Sequence, residues 1–264
     1  TVNTMQKAQF EEQDTDYIYS NILQMAQLDE NKAEKAKDKE IINGCMFLFG
    51  TEYEDDAFKN DKGIKYVVAK NLLLVSRGMF SFCKNLRLVC MPNVERIEDA
   101  DDTYCGSFQN TNLWKVNLPK LVCAGSSAFY NNQNLKTVNL PMCDDVGEFC
   151  FESCNKLKMV NLYNAKTLGR ASFSDCKRLA TIIIPNVEFV GLDCFQYCIS
   201  LIEIDCTLSV DQFKCGEACR AWKQCPVCKG QLMMCFKSAK YQKLKQKLMQ
   251  QQCLFQKLFG GLQT

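Results

Sequence analysis

Residues 135–154 read LKTVNLPMCDDVGEFCFESC, and the pattern returns 22 residues later as LKMVNLYNAKTLGRASFSDC at 157–176. A third copy, LATIIIPNVEFVGLDCFQYC, occupies 179–198. With the first leucine of each copy as slot 0, apolar residues recur at slots +3, +5, +11 and +16, and cysteine recurs at slot +19. A fixed period of this kind predicts a solenoid, because each unit buries its apolar edge only against its neighbours.

The register extends in both directions from these three copies. About six units span 64–206, beginning with a weaker copy at Ile64 and including one copy of 27 residues that starts at Leu86. The chain is therefore expected to divide into a helical amino-terminal cap region (1–63), the repeats (64–206) and a carboxyl-terminal region (207–264). Atypical ends are typical of such stacks, because the terminal units face water.

Each unit begins with a strand and ends with a buried phenylalanine. The first slots alternate apolar and polar residues, which indicates a strand, and the proline at slot +6 ends it. A glycine at slot +12 suits a tight bend with a positive φ. The phenylalanines at slot +16 and their equivalents are expected to stack as a ladder. These are Phe80, Phe108, Phe129, Phe151, Phe173 and Phe195. The predicted fold is an α/β repeat solenoid with a parallel sheet on one face and helical flanks at both ends.

This pattern resembles the BspA-like class of leucine-rich repeats, whose signature is Leu-x-x-Ile-x-Ile-Pro, then Ile-Gly, then Ala-Phe-x-x-Cys. It is clearest in LKTVNLP with VGEFCFESC and in LATIIIP with VGLDCFQYC. The chain departs from ordinary leucine-rich repeats, which carry Asn or Cys at slot +8. The resemblance implies a right-handed stack that binds other molecules, as surface adhesins of bacteria do, and it brings no catalytic residue.

Composition argues against several classes of enzyme. The chain has no histidine, which excludes Ser-His and Cys-His nucleophile pairs and histidine metal ligands. No apolar run is long enough for a transmembrane helix, and no signal peptide is visible. None of the asparagines lies in a glycosylation acceptor. We therefore expect a non-enzymatic protein and favour an intracellular location, with the cell surface as the alternative.

Eighteen cysteines invite a disulfide interpretation, but six of them recur at repeat slots. Recurrence at one slot favours a packing role, since free cysteine behaves as a small buried hydrophobe. The six are Cys83, Cys150, Cys154, Cys176, Cys194 and Cys198.

The candidate partner-binding face consists of the side chains at slots +2 and +4, which point away from the core. Three asparagines share slot +4, at a spacing of about 5 Å per step. They form either a ladder of amides bonded to one another or a polar strip that recognises an extended partner. Met159 and Ile183, with Trp114 nearby, supply apolar anchors, and Trp114 is counted with the face. The face consists of Trp114, Lys115, Asn117, Thr137, Asn139, Met159, Asn161, Thr181 and Ile183.

In the amino-terminal region a short amphipathic face predicts a helix. It either caps the first repeat or binds a partner. Its apolar residues are Tyr17, Ile18, Ile22, Leu23, Met25 and Leu28.

The carboxyl-terminal region contains a candidate zinc site of Cys215, Cys219, Cys225 and Cys228. Four thiolates can close a tetrahedral structural site, and CPVCKG has the shape of a zinc knuckle. Only five residues separate the two cysteine pairs, so disulfides and unligated thiols remain open alternatives.

Beyond this cluster the chain is strongly basic. From residue 218 onward there are nine Lys and Arg residues and no Asp or Glu, and 236–259 reads as a basic amphipathic helix. Such a helix serves as a cap on the last repeat, contacts an acidic membrane surface or fits a partner's groove. Nucleic acid is the less favoured partner, because no recognised nucleic-acid module precedes this helix.

Three functions follow from these observations. The first is a non-enzymatic scaffold that binds a protein partner through the sheet face. The second is a cell-surface adhesin of the same fold. The third is a zinc-containing protein that binds a membrane or nucleic acid through 207–264.

Overall fold

The computed structural model describes residues 15–100, 105–217, 220, 226–230 and 233–234. Two helices open the described chain, α1 (Thr15–Ala26) and α2 (Glu30–Glu34). Asp29 caps α2 by accepting a hydrogen bond from the Lys32 backbone N–H at 2.8 Å. An antiparallel hairpin of β1 (Ile41–Ile42) and β2 (Cys45–Phe47) then leads into the stack.

The core of the molecule is a parallel-sheet solenoid of about seven turns. Each turn contributes one three-residue strand to a first ladder. These strands are β3 (Tyr66–Val68), β5 (Leu88–Cys90), β7 (Lys115–Asn117), β9 (Thr137–Asn139), β11 (Met159–Asn161), β13 (Thr181–Ile183) and β15 (Glu203–Asp205). Strand β2 adds to this ladder at one end, and β16 (Met233–Met234) adds to it at the other. The ladder is divided into two hydrogen-bonded sheets, β1-β2-β3-β5 and β7-β9-β11-β13-β15-β16.

A second parallel sheet runs along the stack, whereas the sequence predicted a sheet on one face only. Its two-residue strands are β4 (Leu74–Val75), β6 (Arg96–Ile97), β8 (Cys123–Ala124), β10 (Asp145–Val146), β12 (Thr167–Leu168) and β14 (Phe189–Val190). They occupy slots +10 and +11, just before the recurring glycine. Two residues cannot display a period, so this ladder has no alternation signal.

The predicted ladder of phenylalanines is part of the main buried core. Adjacent rings are stacked at 5.2–5.8 Å between centroids from Phe80 to Phe195. The stack also takes in Phe58 before it and Phe213 after it, with centroid distances of 5.4 and 6.0 Å to their neighbours. The ladder is confirmed, and it extends by one ring at each end into the regions that flank the six predicted units.

The slot +12 glycines are required for a different reason from the one expected. None of Gly125, Gly147, Gly169 and Gly191 has a positive φ. Instead, a Cβ at Gly147 would lie 2.5 Å from the backbone nitrogen of Ser126 in the preceding turn. Glycine is therefore needed because successive turns approach too closely for any side chain. The positive φ values fall on other residues, such as Phe149 and Ser153, two positions either side of Phe151.

Helix is sparse in the described residues outside the amino-terminal region. The carboxyl-terminal part contains a 3-10 turn at Val210–Gln212 and one turn of helix, α3 (Pro226–Lys229). The predicted basic helix at 236–259 lies outside the described residues. None of the described helices combines the length and apolar character needed to cross a lipid bilayer.

Candidate partner-binding face

Four strands place the predicted residues side by side. Parallel pairing aligns Lys115, Thr137 and Met159 in one row, and Asn117, Asn139 and Asn161 in another. Strand β13 continues both rows, since Asn161 lies opposite Ile183. We call the outward side chains of β7, β9, β11 and β13 the open face. All of them are half-buried except Asn117, which is buried.

The three asparagines of the open face form a hydrogen-bonded ladder. The Asn139 side-chain Nδ2 donates to the side-chain Oδ1 of Asn117, and the Asn161 Nδ2 donates to the Oδ1 of Asn139, each at 2.7 Å. These bonds hold the side chains in a fixed orientation. Of the two interpretations of these asparagines, the ladder of amides bonded to one another is therefore present. It leaves the Asn161 carbonyl oxygen at the end of the ladder, beside Ile183.

Helix α1 covers the beginning of the same ladder of strands. Its buried residues Ile18 and Ile22 belong to one apolar cluster with Tyr66 and Leu88, which occupy slot +2 of β3 and β5. The helix thus lies on the sheet rather than on the end of the stack. Slots +2 and +4 are apolar where the helix covers them and become largely polar from β7 onward. The open face therefore begins where the helical cover ends.

The predicted helix face is correct in part. Ile18, Ile22, Leu23 and Leu28 are buried, but Tyr17 and Met25 are each 46% exposed. Helical geometry accounts for Tyr17, which is five residues from Ile22 and lies on the other side of α1, whereas Met25 is three residues from Ile22 and lies at the margin of the buried side.

One residue beside the open face was not singled out from the sequence. Arg87 holds its guanidinium over the indole of Trp114, with 5.4 Å between the guanidinium carbon and the ring centroid. The Arg87 Nε is buried and has no hydrogen-bond partner among the described residues. The sequence does contain a pattern that could have identified Arg87, because basic residues recur at slot +1, where Lys65, Lys136 and Lys158 also lie.

The cysteines at slot +19 are part of the core. The thiols of Cys154, Cys176 and Cys198 each donate to the backbone carbonyl of the phenylalanine in the preceding turn, at 3.0–3.3 Å. Burial raises the pKa of the Cys154 thiol to about 12. Asn132 replaces this cysteine in one turn, and its amide donates to the Phe108 carbonyl at 2.7 Å. The slot therefore needs a small hydrogen-bond donor.

Cys150 and Cys194 are buried as well. Cys83, Cys150, Cys154, Cys176 and Cys194 carry reduced thiols. The packing role expected for the six recurring cysteines thus agrees with where they lie.

The candidate zinc cysteines are described only in part. Cys215 is buried, with Cys228 and Val227 packed against it. Cys219 and Cys225 lie outside the described residues. Among those that are described, no group of three or more Cys, Asp or Glu is placed to hold a metal ion. Zinc at this position remains a prediction.

Comparison with known proteins identifies the repeat. A family model described as the BspA type leucine rich repeat region matches residues 101–219 in six copies. No curated protein matches the chain.

Several solved structures are similar. A leucine-rich repeat protein from Bacteroides ovatus has 18% sequence identity and a TM-score of 0.47, covering 65% of this chain and 51% of that one. The T. pallidum leucine rich repeat protein has 19% identity and a TM-score of 0.49, covering 60% and 78%. A leucine rich cell surface protein from Faecalibacterium prausnitzii has 16% identity and a TM-score of 0.27, covering 61% and 72%. The chain thus spans about half the length of the Bacteroides ovatus protein.

Proposed function

We propose that this chain is a non-enzymatic scaffold that binds a protein partner through the open face, on the ground that residues 101–219 match the model of the BspA type leucine rich repeat. Proteins with this repeat are generally interaction or surface proteins and are typically non-enzymatic. The partner itself is a protein segment that lies across β7, β9, β11 and β13.

The observation that carries this proposal is the change along one ladder of strands. Where α1 covers the sheet, slots +2 and +4 are filled by apolar residues such as Val68 and Leu88. Where the helix ends, the same slots hold Thr137, Asn139 and Asn161, which are half-buried. If these slots were covered like those under α1, their residues would be apolar. If they formed an ordinary solvent-exposed sheet surface, more of their residues would be charged.

The open face carries one charge, that of Lys115, and its chemistry suits a largely uncharged polar segment with apolar side chains. Thr137 and Thr181 offer hydroxyl groups, and the end of the asparagine ladder offers a carbonyl oxygen. Met159 and Ile183 offer half-buried apolar contacts, and methionine adapts its shape to different partners.

Selection from a displayed library of random peptides tests the proposal without knowledge of the partner. Peptides would be selected on the wild-type chain and then assayed against Thr181→Arg, which places a long charged side chain on the open face. Thr167→Arg is the matched control, because Thr167 is also half-buried and also begins a strand, but in the second ladder. The proposal expects peptides that bind the control and not Thr181→Arg. Peptides that lose binding only to Thr167→Arg would contradict it.

A further inference from the structure

Slot +1 of successive turns forms a continuous backbone column along one edge of the first ladder, beside the part under α1 and then beside the open face. The Arg87 N–H donates to the Lys65 carbonyl at 2.8 Å, and the Trp114 N–H donates to the Arg87 carbonyl at 3.1 Å. The Lys136 N–H then donates to Trp114 at 2.9 Å, and the Lys158 N–H donates to Lys136 at 3.0 Å. These bonds cross the boundary between the two sheets. They place one side chain about every 5 Å along the stack.

Four of the five residues in this column are basic, and we call the set Lys65, Arg87, Trp114, Lys136 and Lys158 the cationic edge. Lys65, Lys136 and Lys158 are exposed. Within the described part of the chain, ion pairs involve Lys59, Lys166 and Lys177, and none of the cationic edge. In the next two turns the slot holds Ala180 and Ile202, so the charge stops at Lys158. Like charges aligned in a row repel one another, which destabilises the free chain slightly. An anionic ligand would relieve this repulsion.

The Arg87 guanidinium is held by a contact with a neighbouring side chain of the cationic edge. It is half-buried and lies over Trp114, which restricts its rotamers before any ligand arrives. A planar guanidinium fixed in this way pairs with a carboxylate at a lower entropic cost than a free lysine does.

We propose that the cationic edge binds an extended acidic segment of the protein partner, with its carboxylates paired to Arg87, Lys136 and Lys158. This inference rests on the proposed function and names the chemistry of the segment that lies beside the open face. The edge covers four steps, or about 20 Å, which is the length of about six residues of extended chain.

The composition of the edge favours a peptide over a nucleic acid. Proteins that bind single-stranded nucleic acid stack successive bases on several aromatic side chains. The cationic edge has one aromatic residue, Trp114, and the Arg87 guanidinium already lies over its ring. Lysine predominates, and it pairs with carboxylates as a point charge without reading a base edge.

Fluorescence anisotropy with labelled decaglutamate tests this inference on the whole chain. The variant Lys136→Gln/Lys158→Gln removes two charges from the cationic edge. The matched control Lys120→Gln/Lys166→Gln removes two charges from the opposite side of the open face, at slots +7 and +9. Both variants retain the basic carboxyl-terminal segment. We expect the edge variant to bind decaglutamate about tenfold more weakly and the control to change by less than about twofold, with the difference shrinking as salt is added.

Two results would overturn the inference. One is an equal change, or no change, in the edge variant and its control. The other is that labelled deca-uridylate binds the wild-type chain as tightly as decaglutamate does and loses as much affinity for the edge variant. That result would assign the cationic edge to nucleic acid. Neither result touches the comparison of Thr181→Arg with Thr167→Arg, so the proposed function is judged separately.

Discussion

Individual residues in this repeat are fixed mainly by the main chain of the turn before them. Gly147 must lack a side chain because the Ser126 backbone occupies the space, and the Cys154 thiol is positioned by the Phe129 carbonyl. Asn132 satisfies the corresponding Phe108 carbonyl with its amide. The repeat therefore selects for size and hydrogen-bonding ability at each slot, which explains why cysteine and asparagine exchange.

Gly147→Ala tests the close approach of successive turns. The added Cβ would lie 2.5 Å from the Ser126 backbone nitrogen, so one turn must move away from its neighbour. We expect the free energy of unfolding in urea to fall by about 2 kcal/mol or more. The control is Gly63→Ala, whose Cβ would meet only the Asp61 carboxylate at 3.2 Å, and it should cost less than about 1 kcal/mol. Equal losses in the two variants would contradict the explanation.

The buried thiols predict a loss of stability in alkaline solution. Burial raises the pKa of Cys154 from 9.0 to about 12 in the folded chain, whereas the unfolded chain ionises near the ordinary value. This stabilisation is complete below pH 9.0 and is lost as the pH rises toward 12. Each such thiol lowers the free energy of unfolding by up to about 1.4 kcal/mol per pH unit in that range.

Urea unfolding at about pH 8 and about pH 10 measures this effect. The midpoint should fall between the two values, and it should fall less in Cys154→Ala than in the wild type. A midpoint that does not depend on pH would mean that the thiol is accessible to solvent in the folded chain.

At this scale the sequence predicts which slots are buried, but not what each slot contacts. The phenylalanine ladder follows from the period alone, because identical positions stack. The recurring glycine was assigned to a bend with a positive φ, because one unit read by itself gives no sign of its distance from the next. Phe149 and Ser153, which do adopt positive φ, are residue types that give no such signal.

Among the elements, helix α1 determines where the open face begins. Ile18, Ile22 and Leu23 close over the apolar side chains of β3 and β5. Lys70 lies 3.7 Å from the ring centroid of Tyr19, so a cation–π contact also holds the helix against a loop of the stack. Without α1, the apolar slots of the first strands would be exposed to water.

Ile22→Ala tests the role of α1 as a cover. Ile22 is fully buried, so its truncation leaves a cavity between the helix and the sheet. We expect the free energy of unfolding to fall by about 2–4 kcal/mol. Met25→Ala on the same helix is the control, because Met25 is 46% exposed, and it should change stability by less than about 0.5 kcal/mol. Similar small changes in both variants would show that the helix is not packed on the sheet.

The strands were predicted correctly where they are long enough for apolar and polar residues to alternate. The three-residue strands that begin each turn are marked by alternation and by the proline after them. The second ladder, with strands such as Thr167–Leu168, is too short to alternate. The position of α1 on the sheet was not predicted. An amphipathic pattern shows that a helix has an apolar side, but it does not show which surface that side covers.

The whole molecule presents three chemically different surfaces along one ladder of strands. An apolar part lies under α1, a largely polar open face with one charge, Lys115, follows from β7 to β13, and the cationic edge borders both parts from Lys65 to Lys158. The first two surfaces are formed by slots +2 and +4 of the 22-residue unit and the third by slot +1, so their properties can change from turn to turn without any change in the fold. This arrangement explains why the fold was readable from the sequence while the partner was not.

The central claim is that the open face is the binding surface. The most direct measurement is titration calorimetry of one peptide, selected on the wild-type chain, against the wild type, Thr181→Arg and Thr167→Arg. We predict that Thr167→Arg binds like the wild type and that Thr181→Arg weakens binding by at least about 2 kcal/mol, as expected for a bulky charge placed in an interface. Full binding by Thr181→Arg, together with loss of binding by Thr167→Arg, would contradict the claim and move the site to the second ladder.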